Sequence, residues 1–134
     1  MNIRLLVNID VDDLPRATAF YTAAFGLTVG RRFGPHAVEL NGGDSAVYLL
    51  AHQAGSPGAG GEQRRYTRHW TPVHLDIVVD DVEAALARAT AAGAVAEGAI
   101  KTHSWGRIVT VADPFGHGIC LLQFLNRGYD EIAD

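Results

Sequence analysis

The string Ile-x-Val-Asp-Asp occurs twice in this chain, at 9–13 and at 77–81, each time ahead of an alanine-rich stretch with helical spacing. At a constant offset of 68 residues, Ile9/Ile77, Val11/Val79, Asp12/Asp80, Asp13/Asp81 and Ala17/Ala85 coincide. Ala19/Ala87, Thr22/Thr90, Ala23/Ala91 and Ala24/Ala92 also match. Alanine matches are cheap in this chain, whereas the apolar–acidic string is not. Self-similarity at a fixed offset marks a repeated supersecondary unit, so 134 residues are predicted to form two similar half-domains.

Each half opens on an alternating apolar run, Arg4–Val11 and Val73–Val79, as a half-buried strand requires. The aspartate pairs then supply oxygens for the unpaired amides at a helix start. The first helix is predicted to bury Leu14, Ala17, Tyr21, Ala24 and Phe25, and the second Val82, Ala85, Leu86 and Ala89. Both stripes follow the 3.6-residue period, and Gly26 and Gly93 stand where a left-handed cap is wanted. Strands are expected at Leu27–Phe33, His36–Leu40 and Ser45–Ala51, then at Ala94–Ala96, Arg107–Ala112 and Gly118–Phe124. Asp113-Pro114-Phe115-Gly116 has the residue order of a type I turn, which makes the last two strands a hairpin. Each half therefore reads β-α-β-β-β, an α+β arrangement: 1–51, a flexible glycine-rich linker at 52–69, 70–125, and a polar tail at 126–134. In that tail Tyr129 and Ile132 are candidates to dock on a neighbour.

Composition sets the outer limits. With 48% hydrophobic residues, a chain of this length buries roughly two-thirds of its unfolded surface and needs no staple. The single cysteine, Cys120, cannot form an internal disulfide, and no basic segment with an apolar run follows Met1, so a cytoplasmic protein is expected. A net charge of −4 argues against nucleic acid as a partner, and no apolar run reaches the ~20 residues of a membrane span. Phosphate-loop, H-E-x-x-H, C-x-x-C and G-x-S-x-G motifs are absent.

The paired modules, with D-D-L-P-R-A-T-A-F-Y-T-A-A-F-G-L in the first and D-P-F-G-H-G-I-C-L-L in the second, resemble the vicinal oxygen chelate superfamily. That group includes glyoxalase I, extradiol dioxygenases, fosfomycin-resistance transferases and metal-free bleomycin-binding proteins. The resemblance covers Ile3–Phe124. It implies two cupped mixed sheets lining a cavity, and a homodimer. Metal-dependent members place one ligand on the first and one on the last strand of each module, which falls here on Leu6, Tyr48 or Leu49, His74 and Cys120. Only His74 keeps a usual ligand type. Hard divalent ions take oxygen and imidazole donors, so no cofactor is expected. The weak metal alternative is zinc on His74 and Cys120, which lacks a third ligand unless Asp76 joins.

Period-2 alternation puts His74 and Asp76 on one strand face, and Leu6, Asn8 and Asp10 on the equivalent face of the first module. Asn8, Tyr48, His74, Asp76 and Cys120 are the expected ligand-binding residues, with His103 and Trp105 at the mouth. His74 is the one candidate catalytic residue. Tyr48 either offers its phenol to a ligand or packs as a core aromatic. Cys120, in an apolar strand, reads as a small hydrophobe. Arg107 suits a carboxylate or phosphate, or an ion pair with a neighbour; Asp10 is expected near a solvated strand end. Arg64, Arg65 and Arg68 read as a solvated loop or dimer contact. Two functions follow. One is a metal-independent small-molecule binder of the bleomycin-resistance type, holding an amphipathic or aromatic ligand. The other is a glyoxalase- or dioxygenase-like enzyme with an atypical metal site or a metal-free mechanism on His74.

Overall fold

The duplicated aspartates start both helices of the computed structural model, which describes residues 1–134. Asp13 accepts a hydrogen bond from the Arg16 amide at 3.0 Å, and Asp81 from the amides of Glu83 and Ala84 at 3.1 Å. These caps open α1 (Leu14–Phe25) and α2 (Val82–Ala92). Gly26 closes α1 in the left-handed conformation at φ 68°, its N–H on the Thr22 carbonyl, where a side chain would strain the backbone.

The chain forms two compact units, Met1–Thr67 and Arg68–Asp134. The first holds β1 (Val7–Val11), β2 (Thr28–Phe33), β3 (Ala37–Asn41) and β4 (Val47–Ala51) in the order β1-β4-β3-β2. The second holds β5 (Leu75–Val78), β6 (Val95–Ala96), β7 (Lys101–Thr102), β8 (Gly106–Ala112) and β9 (Gly118–Phe124) in the order β5-β9-β8-β6, with β7 also on β8. In each unit the first strand runs parallel to the last, β1 with β4 and β5 with β9, and the other pairs are antiparallel. No helix is long and apolar enough to cross a membrane.

One face of each sheet is sealed by its own helix. Val11, Val38, Leu40 and Leu49 are buried with Leu14, Ala17, Phe20, Tyr21 and Ala24 of α1. Val109, Val111, Ile119 and Leu121 are buried with Val82, Ala85 and Ala89 of α2. Phe20 belongs to this core although the sequence stripe omits it: its ring meets Tyr21 and Phe25 edge-on at 5.0 and 5.9 Å. Phe25 and Leu86, both placed in the stripes, are only partly buried.

Four expectations need correction. The first strand begins at Val7, not Arg4, because its ladder starts opposite Val47 and nothing pairs with Arg4–Leu6; Leu6 is 52% exposed. The ladder of the second module likewise starts at Leu75, leaving His74 just outside the strand. The weak strand at Ala94–Ala96 is one piece of a broken edge: Val95–Ala96 and Lys101–Thr102 both pair with β8, interrupted around Gly98, whose φ is 103°. The linker folds on itself. Gly55 donates to the Arg64 carbonyl at 2.7 Å, Arg64 to Ser56 at 2.9 Å, and the Tyr66 hydroxyl to the His52 carbonyl at 2.6 Å. In the tail, Tyr129 packs edge-on against Phe124 of its own unit, ring centroids 4.8 Å apart.

The β8–β9 hairpin turns on Asp113, which is 4% exposed. Its Oδ1 accepts the amides of Phe115 and His117 at 2.8 Å each. Leaving those donors unpaired costs about 1–3 kcal/mol, so Asp113→Ala is expected to lower unfolding free energy by about that amount. Equilibrium urea denaturation checks it.

Candidate functional site

Residues opposite one another in a ladder share a face, and register fixes what lies on the face away from each helix. In the first unit, Asn8 pairs with Tyr48 and Tyr48 with Glu39. In the second, Asp76 pairs with Cys120 and Cys120 with Thr110. These rows occupy equivalent places, a strand-by-strand correspondence of Asn8 with Asp76, Tyr48 with Cys120, and Glu39 with Thr110. Their chemistry differs.

The row in the first unit is locked. Glu39 is 7% exposed, and its Oε2 accepts the Tyr48 hydroxyl at 2.8 Å and the Arg31 Nε at 3.1 Å. Its Oε1 accepts the Arg31 amide at 3.1 Å, and Arg31 Nη2 reaches the Tyr48 oxygen at 3.1 Å. An irregularity in β2 between Val29 and Arg32 brings Arg31 over the carboxylate. Gly30 permits it: a Cβ there would sit 2.6 Å from Glu39 Oε1. Hydrogen bonds from Arg31, then from Tyr48, hold the Glu39 carboxyl at about 2, below its ordinary 4.5. Arg31 and Glu39 were not among the residues singled out from sequence. The signal was there, a glutamate alternating with Val38 and Leu40 in an apolar strand.

The row in the second unit is open to chemistry. His74 Nε2 lies 3.3 Å from Asp76 Oδ1, and the ligating atoms of His74, Asp76 and Cys120 all fall within 4.8 Å of one another. The two polar side chains are 33% and 36% exposed, while Cys120 is buried. Trp70 lies against the His74 ring, centroids 4.9 Å apart. The Cys120 sulfur contacts the Thr110 hydroxyl at 3.4 Å. Burial, with the Asp76 carboxylate adding to it, pushes the thiol above its usual value, so the free side chain is a thiol at neutral pH and a poor nucleophile.

His103 and Trp105 do not join this triad. They stack on each other at 5.0 Å, beyond the start of β8, and Trp105 packs against Tyr129. Thr110 is four residues further along β8 than Gly106, about 13 Å at strand rise. Between the two ends, the same face carries Val78, Leu122 and Ile108, paired in register, and then Phe124 opposite Gly106. Three charged candidates resolve as ion pairs. Arg107 holds Glu83 at 2.7 Å, Arg64 holds Asp10 at 2.7 Å, and Arg68 holds Glu97 at 2.8 Å. Asp10 is therefore paired and partly buried rather than a solvated strand end.

The glyoxalase-like domain family matches residues 6–122, and the chain belongs to that family, within the glyoxalase/bleomycin resistance/dioxygenase superfamily. An uncharacterized protein of Mycobacterium bovis is 35% identical over 115 residues, covering 80% of this chain and 74% of that protein. Among solved structures, an antibiotic binding protein from Streptomyces superposes with a TM-score of 0.65 at 24% identity, covering 93% of this chain and 98% of that one. A fosfomycin resistance protein from Listeria monocytogenes gives 0.71 at 15% identity, covering 92% and 93%. At those identities the two structures show the fold alone.

Metal-dependent members, as the resemblance implies, hold a divalent ion with donors from both modules, and the residues present do not fit that set. Leu6 has no donor atom, and the Tyr48 oxygen and Glu39 carboxylate are bound to Arg31 and to each other. The first unit offers no free carboxylate or imidazole at these positions, which removes half of a hard-ion shell.

Because the Glu39 carboxyl is lowered on folding, its contribution is present above the ordinary value of 4.5 and is lost as pH falls toward about 2. Glu39→Gln is expected to be less stable than the parent at neutral pH, with the gap closing across that window. The Arg31 side chain is 69% exposed, so added salt narrows the gap. Denaturation midpoints from pH 7 to 2 test this.

Proposed function

We propose that this chain is a small-molecule binding protein of the bleomycin-resistance type, holding an amphipathic or aromatic ligand on the cupped sheet without a divalent ion. The supporting observation is the grading of one face in the second unit. The His74–Asp76–Cys120 cluster gives way to Val78, Leu122 and Ile108, and then to Phe124, whose ring meets Tyr129. Val78 is 58% exposed, and a ligand laid along this face would bury it. Each methylene so buried contributes about 0.8 kcal/mol, while the imidazole and carboxylate fix the polar end. Such a site orients a ligand through few polar groups set in apolar surroundings. A cytoplasmic homodimer belongs to the same reading.

One observation favours an enzyme. Asp76 sits where it can orient His74, and an oriented imidazole is a competent general base. That reading makes the chain a metal-free isomerase in which His74 moves a substrate proton.

A thermal-shift screen of amphipathic aromatic compounds, run in chelator, is expected to find ligands that raise the melting temperature in proportion to the logarithm of their concentration. His74→Ala is expected to weaken the best of them by about tenfold or more, the loss of one hydrogen bond to a polar group. Trp105→Ala, which removes the ring behind Tyr129, weakens it too. Wild-type affinity in both variants would place the ligand elsewhere, and product formation on incubation would establish the enzyme.

A further inference from the structure

On the helix side of the first sheet, an open cleft lies between α1 and the β2–β3 turn. We propose that this cleft binds a small amphipathic carboxylate, its apolar body on Leu14 and Val38 and its anion on Arg32. The site is distinct from the second-unit face assigned to the small molecule under the proposed function, and neither depends on the other.

Two adjacent arginines serve opposite faces of the sheet. Arg31 turns to Glu39 on the face away from the helix. Arg32 instead pairs in register with Val38, which is buried with α1. No hydrogen bond or ion pair engages the Arg32 guanidinium, whereas Arg31, Arg64, Arg68 and Arg107 all hold carboxylates.

The cleft measures about 480 Å³, within the range of roughly 300–1,000 Å³ of small-molecule sites. Leu14 and Val38 form its floor, both buried. Pro15 and Ala19 of α1 form one wall and Pro35 the other. A tight turn fixes that second wall: the His36 amide donates to the Phe33 carbonyl at 3.1 Å, and Gly34 takes a φ of 57°. With a helix on one side and a closed turn on the other, the cleft is formed before a ligand arrives.

Charge selects the ligand. No acidic side chain lines the cleft. Thr18, the other polar side chain there, donates its hydroxyl proton to the Leu14 carbonyl at 2.8 Å, which leaves Arg32 as the donor. A guanidinium fork matches one carboxylate bidentately. A phosphate dianion would bring a second charge that no residue of the cleft neutralises, and the chain's net charge of −4 opposes it further. An anion without an apolar body would gain only an exposed ion pair, which contributes little. Both parts of the ligand are therefore required.

The test is titration of octanoate into the full-length protein, followed by calorimetry and by amide NMR shifts. The expected result is one octanoate per chain, with the largest shifts in 14–19 and 32–38. Acetate, which has the charge alone, and octan-1-ol, which has the chain alone, are each expected to bind at least about tenfold more weakly. Arg32→Ala is expected to weaken octanoate by about tenfold or more. Arg32→Lys should weaken it less, since it keeps the charge and loses the fork. Ala19→Trp, at an exposed helix position, is expected to fill the cleft and abolish binding with the fold kept. His74→Ala, in the other unit, is expected to change octanoate affinity by no more than about twofold. No octanoate binding, unchanged affinity in both Arg32→Ala and Ala19→Trp, or octan-1-ol binding as tightly as octanoate would each overturn the proposal. Tighter binding of octyl phosphate, or shifts confined to 74–78 and 118–124, would overturn it as well. None of these outcomes counts against the second-unit face, whose ligand is tested by His74→Ala and Trp105→Ala.

Discussion

The parallel pairing of first and last strand in each unit, with a helix sealing one side, is the constraint on which the other features rest. Once Val11 and Leu49 must face α1, and Ile119 and Leu121 must face α2, the period of two leaves no choice for their neighbours. Asn8 and Tyr48 go to the far face in one unit, and Asp76 and Cys120 in the other. A slip by one residue would turn the polar groups into the helix-packed core, where unpaired they cost several kcal/mol. The candidate site is thus a by-product of burying the other half of each strand.

On this duplicated frame the two units have diverged. The first spends its only buried carboxylate on an internal network with Arg31 and Tyr48, which Gly30 makes room for. A charge fully matched inside the fold stabilises the sheet but has little left for a ligand. The second keeps an imidazole, a carboxylate and a thiol close together without a guanidinium over them, since Arg68 is occupied by Glu97 one row away. The fold family hosts both binding proteins and enzymes, and fold alone does not choose between them. The choice rests on the donors, which are engaged by Arg31 in one row and clustered in the other.

Cys120 illustrates how context sets reactivity. In sequence it is a cysteine in an apolar strand. In the structure it is buried and lies near Asp76, which together keep it protonated against the opposing pull of the Thr110 contact. The same burial that makes it a poor nucleophile also shields it from solution oxidants.

The repeat of Ile-x-Val-Asp-Asp and the two aspartate caps were legible because they depend on neighbours within a few residues, as did the Asp113 turn. Alternation likewise gave the faces of β1 and β5, putting Asn8 and Asp76 on the faces away from the helices, and Asp76 does lie beside His74. Strand ends were not legible: Val7 and Leu75 begin their ladders where a partner strand begins, and that partner lies about 40 residues away in sequence. Pairing between strands also hid the Arg31–Glu39–Tyr48 network, which needs an irregular β2, and the separation of His103 and Trp105 from the triad, which needs the length of β8. Local chemistry was written in the sequence by itself. Which polar groups meet, and which are already paired, was decided only when strands far apart in the chain came into register.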